Sequence, residues 1–204
     1  MACNDLISDT DIENIYLDDN FIISNNVSSI CEDNNTKKSL VNIIDKDEIS
    51  MLHREIERTY FREKELCSQK DQTGKVVKHE YFILKDEFHG KKIASKVHVK
   101  ELETYRRTGF NEIQLDAAWD GLVVWKKMLY KFASTRDESL IKIAIQRYLK
   151  EVKNMSIEDI EKAIKNNPFS INYNYLKDDT LDFKEWIYNG FNKIGLAKMY
   201  KEVI

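Results

Sequence analysis

The most constraining feature of this 204-residue chain is an ordered run of elements in its middle. Val76-Val77-Lys78-His79-Glu80-Tyr81-Phe82-Ile83-Leu84 is rich in β-branched and aromatic residues and reads as a strand. A helix from about Ile93 to Arg107 follows and stops at Thr108-Gly109, with Gly109 suited to a C-terminal cap. Phe110–Trp119 is a second strand through Ile113, Leu115 and Ala117, and Gly121 turns the chain into a helix over Leu122–Leu129. Strand, helix, strand, helix in this order implies a parallel pair joined by a right-handed crossover, and the expected fold class is α+β.

The flanks are organised differently. Residues 1–45 hold seven Asp, two Glu and two Lys, a net charge of −7 in a chain whose total is −3. Short apolar pieces (Ile15-Tyr16-Leu17, Phe21-Ile22-Ile23, Leu40–Ile44) read as strands between Asx-type turns, with Ser24–Lys38 loop-like. Residues 47–69 read as a helix, because Ile49, Leu52, Ile56, Tyr60 and Phe61 recur at three-to-four spacing. Beyond residue 134 the expectation is helical throughout. Thr135–Glu138, Ser156–Asp159 and Asp182–Glu185 open helices, and the only proline, Pro168, marks a break. The expected division is an acidic segment 1–45, a core 46–134 and a helical C-terminal extension 135–204.

Composition excludes several classes. With 42% apolar and 33% charged residues the chain folds around a core. No apolar run approaches the ~20 residues of a membrane-spanning helix, and MACNDLISDTD does not read as a secretory signal. Cys3, Cys31 and Cys67 fit neither a disulfide framework nor a zinc knuckle, so a reducing, cytoplasmic setting is expected. His79, His89 and His98 fall on a strand, a loop and a helix without ligand spacing, so no metal is expected. The net charge argues against a dedicated nucleic-acid binder. Cys67 with His79 is a conceivable nucleophilic pair, but a buried or incidental cysteine is the simpler reading.

The candidate chemistry lies between the first strand and its helix, in Phe88-His89-Gly90-Lys91-Lys92-Ile93-Ala94-Ser95. A glycine-containing turn here exposes backbone N–H groups at a helix N-terminus, and two lysines add charge, which suits a pyrophosphate. The alternative is an ordinary strand-to-helix turn. Lys96, Lys100, Arg106 and Arg107 read as a solvated helix face, and Tyr81, Phe82, Trp119 and Trp125 as packing residues.

This segment resembles the pyrophosphate loop of the GNAT superfamily of acyl-CoA-dependent N-acyltransferases. His89 stands where Gln or Arg is usual, Gly90, Ile93 and Ala94 agree, and Lys92 replaces a loop glycine. Glu103–Leu115 is similar to the family's helix, glycine turn and next strand. Ala117–Gly121 with Val123–Phe132 is similar to its final motif, with Leu129 in place of the usual glycine before Tyr130. The similarity spans residues 76–132.

The resemblance implies a mixed sheet with a splayed parallel pair that admits the thioester. It implies backbone N–H groups near Ile83 or Leu84 polarising the thioester carbonyl, and His89, Gly90, Lys91, Lys92, Ile93, Ala94 and Ser95 around the pyrophosphate. It also implies Tyr130 as an acid, and Glu80, Asp116 or His79 as a base, in direct attack by an amine. The co-substrate would be acetyl-CoA or a longer acyl-CoA. The acceptor would be an amine of a peptide, a protein or a small molecule. A catalytically degenerate GNAT-like protein acting as an interaction module is the alternative, and a homo-oligomer assembled through the tail is a third reading.

Overall fold

A computed structural model describes residues 5–16, 21–23, 28–45, 56–82, 92–118, 121–179, 181–189 and 196–204. The chain divides into two compact units, Met1–Leu115 with Glu202–Ile204, and Asp116–Lys201.

The first unit begins with helix α1 (Asp9–Tyr16) and strands β1 (Phe21–Ile23), β2 (Ser28–Cys31), β3 (Thr36–Val41) and β4 (Ile43–Asp45). It continues with β5 (Ile56–Glu65), β6 (Thr73–Phe82), helix α2 (Ile93–Arg107) and β7 (Glu112–Ala118), whose last residues pass into the second unit. β1 and β4 form a separate antiparallel pair. The main sheet runs β2-β3-β5-β6-β7. Its first three pairings are antiparallel, and β6 and β7 are parallel. The fold is therefore α+β with a mixed sheet. The parallel ladder joins Val76–His79 to Glu112–Leu115, whereas β6 continues to Phe82 and β7 to Ala118.

α2 has the bounds its sequence pattern gives. Ile93, Val97, Thr104 and Tyr105 form one buried stripe, while Lys96, Arg106 and Arg107 are exposed. At its end Gly109 has φ 76, its N–H donates to the Arg106 carbonyl, and the Phe110 N–H donates to the Tyr105 carbonyl. That is the Schellman arrangement, in which a left-handed residue lets the chain turn back on orphan carbonyls. Phe110 packs on the Tyr105 ring at 5.6 Å.

The expected helix over residues 47–69 is corrected for its described part: residues 56–65 are strand β5. Ile56 and Tyr60 lie four apart, a spacing that a period of 2 and a period of 3.6 both satisfy. Residues 46–55 lie outside the described set. Ile15 and Tyr16 belong to α1, and β2 with the start of β3 occupies part of the expected loop.

Buried polar contacts lock the first unit. Glu112 accepts the N–H groups of Cys67 and Ser68, both at 2.9 Å, fastening the β5–β6 turn to β7. Gln114 Nε2 bonds Glu112 and the Glu65 carbonyl, each at 2.8 Å. Lys75 Nζ reaches the carbonyls of Leu6 and Thr108 at 2.9 and 2.6 Å. Lys37 Nζ reaches Ile7 and Asp9, both at 2.8 Å. Cys31 is disulfide-bonded, a departure from the expected absence of disulfides. Sequence spacing carries no information about which cysteines approach in space.

The second unit contains α3 (Gly121–Lys127), β8 (Lys131–Phe132), α4 (Thr135–Glu151), α5 (Ile157–Ile164), α6 (Phe183–Asn189) and all but the last residue of β9 (Leu196–Glu202), with 3-10 turns at Pro168–Ser170 and Tyr173–Leu176. Ser134 caps α4 and Ser156 caps α5, each through the amide three residues on. Tyr148, Phe183 and Trp186 form its aromatic centre. The expected all-helical tail is corrected at its end, where β9 pairs antiparallel with β8.

Glu112→Ala is expected to lower stability by about 2 kcal/mol, since it strands two partly buried backbone donors at ~1 kcal/mol each. Urea denaturation checks this, and an unchanged midpoint would show that the carboxylate does not hold the turn.

Candidate functional site

The anion-binding candidate is the start of α2. Lys92 is its N-cap, with φ 60 and ψ 17, and its side chain makes no capping bond. A non-glycine residue in this left-handed region carries a cost of about 1–2 kcal/mol. Lys92 is exposed and its carbonyl accepts the Lys96 N–H. Ile93 is buried, Ala94 half-buried and Ser95 exposed. No acidic residue lies in the first turn. The turn thus presents main-chain donors and the positive end of a 15-residue helix next to a lysine, which fits a phosphate group. The predicted residues Ile83, Leu84, His89, Gly90 and Lys91 lie outside the described set.

Further along α2 lies a buried ionic cluster that sequence reading missed. Arg58 on β5 is 0% exposed and Glu101 on α2 is 2% exposed. Arg58 Nε donates to Glu101 Oε1 at 2.9 Å, and Arg58 Nη1 donates to the Glu57 carbonyl at 2.9 Å. Tyr16 Oη of α1 donates to the same Glu101 oxygen at 3.2 Å. The Arg58 guanidinium also stands 5.7 Å from the centre of the Phe82 ring, a cation–π distance. Burial works to raise the Glu101 carboxyl, but the Arg58 guanidinium, helped by His79 and His98, holds it far below the usual carboxylate range. Burial likewise opposes the Arg58 charge, and Glu101 more than restores it. Tyr60, buried and bonded to Ser39 Oγ at 3.1 Å, has its phenol pushed up to about 12, first by burial. The cue that could have found this cluster is weak: Arg58 stands between Ile56 and Tyr60 on the buried face of β5, and His98 and Glu101 lie on the buried stripe of α2.

The candidate catalytic residues occupy different surroundings. Glu80 is half-buried, paired with Lys78 at 2.8 Å and near Thr59 Oγ1 at 3.3 Å. His79 points to the other face, into the ionic cluster, and is 5% exposed. Asp116 is exposed on β7. In the second unit Tyr130 is 1% exposed, with Trp125 at 5.2 Å and Lys201 Nζ 5.7 Å from its ring centre. The Cys67–His79 pair is not formed: Cys67 sits by the β5–β6 turn, where Glu65 faces Thr73, while His79 faces Arg58 six residues further along β6.

Leu129 repeats the Gly109 arrangement without a glycine. Its φ is 68, its N–H donates to the Lys126 carbonyl, and the Tyr130 N–H donates to the Trp125 carbonyl. The side chain is 76% exposed, so it recovers little packing energy.

Among the described residues no group of three or more His, Cys, Asp or Glu is placed to hold a metal ion. None of their helices is long and apolar enough to cross a membrane. No protein-family model matches the chain, and no curated protein matches it significantly.

Two outcomes are expected. Glu101→Gln should cost about 3–5 kcal/mol by leaving the Arg58 charge buried without its counter-ion; a loss under ~1 kcal/mol in chemical denaturation would mean that water already reaches the pair. Leu129→Gly should raise stability by about 1 kcal/mol, relieving the left-handed backbone. No gain in thermal unfolding would mean that Leu129 does not hold that conformation.

Proposed function

We propose that this chain is an acyl-CoA-dependent N-acyltransferase of GNAT type, moving an acetyl or longer acyl group to an amine of a peptide, protein or small molecule. The observation that carries the reading is backbone conformation. Lys92 and Leu129 are the two residues that replace glycines of the resembling motifs, and both have the left-handed φ that glycine favours, 60 and 68. The side chains changed, but the backbone that the glycines would permit is kept. The parallel pair β6–β7 with α2 between them adds support.

On this reading the first turn of α2 binds the pyrophosphate through the amides of Ile93, Ala94 and Ser95, with Lys92 as a counter-charge. Backbone N–H groups near Ile83 or Leu84 polarise the thioester carbonyl. The amine attacks that carbon, the C–S bond breaks and the electron pair leaves on sulfur. Glu80 or Asp116 receives the ammonium proton, directly or through water, and Tyr130 supplies one to the thiolate. The mildly charged, glycine-poor loop and the burial of Tyr130 favour a second reading, a catalytically degenerate relative that serves as an interaction module.

Calorimetric titration with acetyl-CoA and a longer acyl-CoA separates the two. The enzyme reading expects micromolar binding that falls at least about tenfold in Ser95→Glu, equivalent to ~1.4 kcal/mol. This variant puts a carboxylate where phosphate would sit, while a first-turn acid favours the helix itself. Lys92→Gly is expected to weaken donor binding if the ammonium meets phosphate. Folded protein that binds neither donor supports the interaction-module reading.

A further inference from the structure

Among the described residues, α1, β5, β6 and α2 itself each bring a polar group to Glu101. Arg58 from β5 and Tyr16 from α1 bond Oε1 at 2.9 and 3.2 Å. His79 Nε2 from β6 stands 3.8 Å from Oε1, and His98 Nδ1, one turn earlier on α2, stands 3.7 Å from Oε2. The two imidazoles are 6.5 Å apart, with Tyr105 of α2 6.1 Å from His79. Tyr60 of β5 lies edge-on to Tyr105 at 6.2 Å. With the His79 ring neutral, the Arg58 guanidinium balances the Glu101 carboxylate. A proton on the His79 ring puts a second cation beside Arg58 in a buried site, where an unbalanced charge is costly. The cost is relieved by admitting water, which requires α2 to part from the sheet.

We propose that Arg58, Glu101 and His79 form an acid-released catch, which holds α2 on β5 and β6 at neutral pH and frees it when the His79 imidazole takes up a proton. This inference does not need the acyltransferase reading. Where that reading holds, the catch controls the helix that carries Lys92.

The direction of the pH effect follows from His79. Burial first, then the Arg58 charge, hold its ring well below the usual imidazole range, against the opposing pull of Glu101. The released form therefore binds more protons than the folded one below the ordinary imidazole value of ~6.5. Stability is fully present above that value and is lost as pH falls below it, by up to about tenfold per pH unit for each proton.

Hydrogen exchange of the full chain between pH 8 and 5, corrected for intrinsic rates, tests this with α2 (93–107) read against α4 (135–151). All four histidines precede residue 116, so α4 is the internal reference. Protection of α2 is expected to fall about tenfold per pH unit below ~6.5 for one proton, while α4 stays level and His79→Gln flattens the slope. Parallel behaviour of α2 and α4, or an unchanged slope in His79→Gln, overturns the catch. If that variant does not fold, NMR titration of the wild-type histidines decides. A His79 ring that titrates normally while α2 stays protected overturns the proposal, and one that titrates only as α2 opens supports it. Acetyl-CoA binding with pH-independent α2 protection would sink the catch alone; pH-dependent release without donor binding at any pH would sink the acyltransferase reading alone.

Discussion

The ion pair between Arg58 and Glu101 sets the terms for the rest of the first unit. A guanidinium and a carboxylate taken wholly out of water are tolerated only with short, aligned contacts and partners for their remaining polar atoms. Glu101 therefore fixes the rotation of α2 about its axis, and Arg58 fixes which face of β5 turns inward. Tyr16 brings α1 to the same oxygen. Apolar packing would hold α2 near the sheet but would tolerate sliding. The ion pair selects one register, so the helix N-terminus and the end of β6 are placed by a contact that lies away from both.

A second theme is left-handed backbone held by residues other than glycine. Gly109 and Leu129 end their helices in the same way, each followed by an aromatic residue packed back onto an aromatic ring. Lys92 begins α2 from the same region of φ. Non-glycine residues held there cost stability, and such positions tend to persist where the surrounding structure fixes them. At Lys92 the side chain adds a positive charge to a helix N-terminus, which on the acyltransferase reading serves as the counter-charge to phosphate. At Leu129 nothing in the structure explains the leucine.

The sequence was most legible where local signals agreed. α2 keeps its expected bounds, because its apolar stripe, basic last turn and Gly109 all point to one helix. β6, β7, α3 and the capped α4 and α5 were readable for similar reasons. β5 was not, since Ile56 and Tyr60 suit either periodicity and Arg58 breaks the apolar alternation that would have marked a strand. The buried cluster was invisible for the same reason. Arg58, His98, Glu101 and Glu112 are residue types that normally face water, and only their partners across the fold justify burying them. β9 follows a helix in a segment whose other elements are helical, and its alternation through Ala197 and Met199 is short. At the candidate site, sequence located the start of α2 and its lysine but not the ionic cluster further along that helix.

The most direct test of this account is a double-mutant cycle across the ion pair, with Arg58→Met, Glu101→Leu and the double variant compared by chemical denaturation. Each single change should be strongly destabilising and the double variant should recover most of the loss, giving a coupling of at least about 2 kcal/mol. Additive losses, with coupling near zero, would mean that the two charges do not hold each other in the folded protein and that α2 is placed by apolar packing alone.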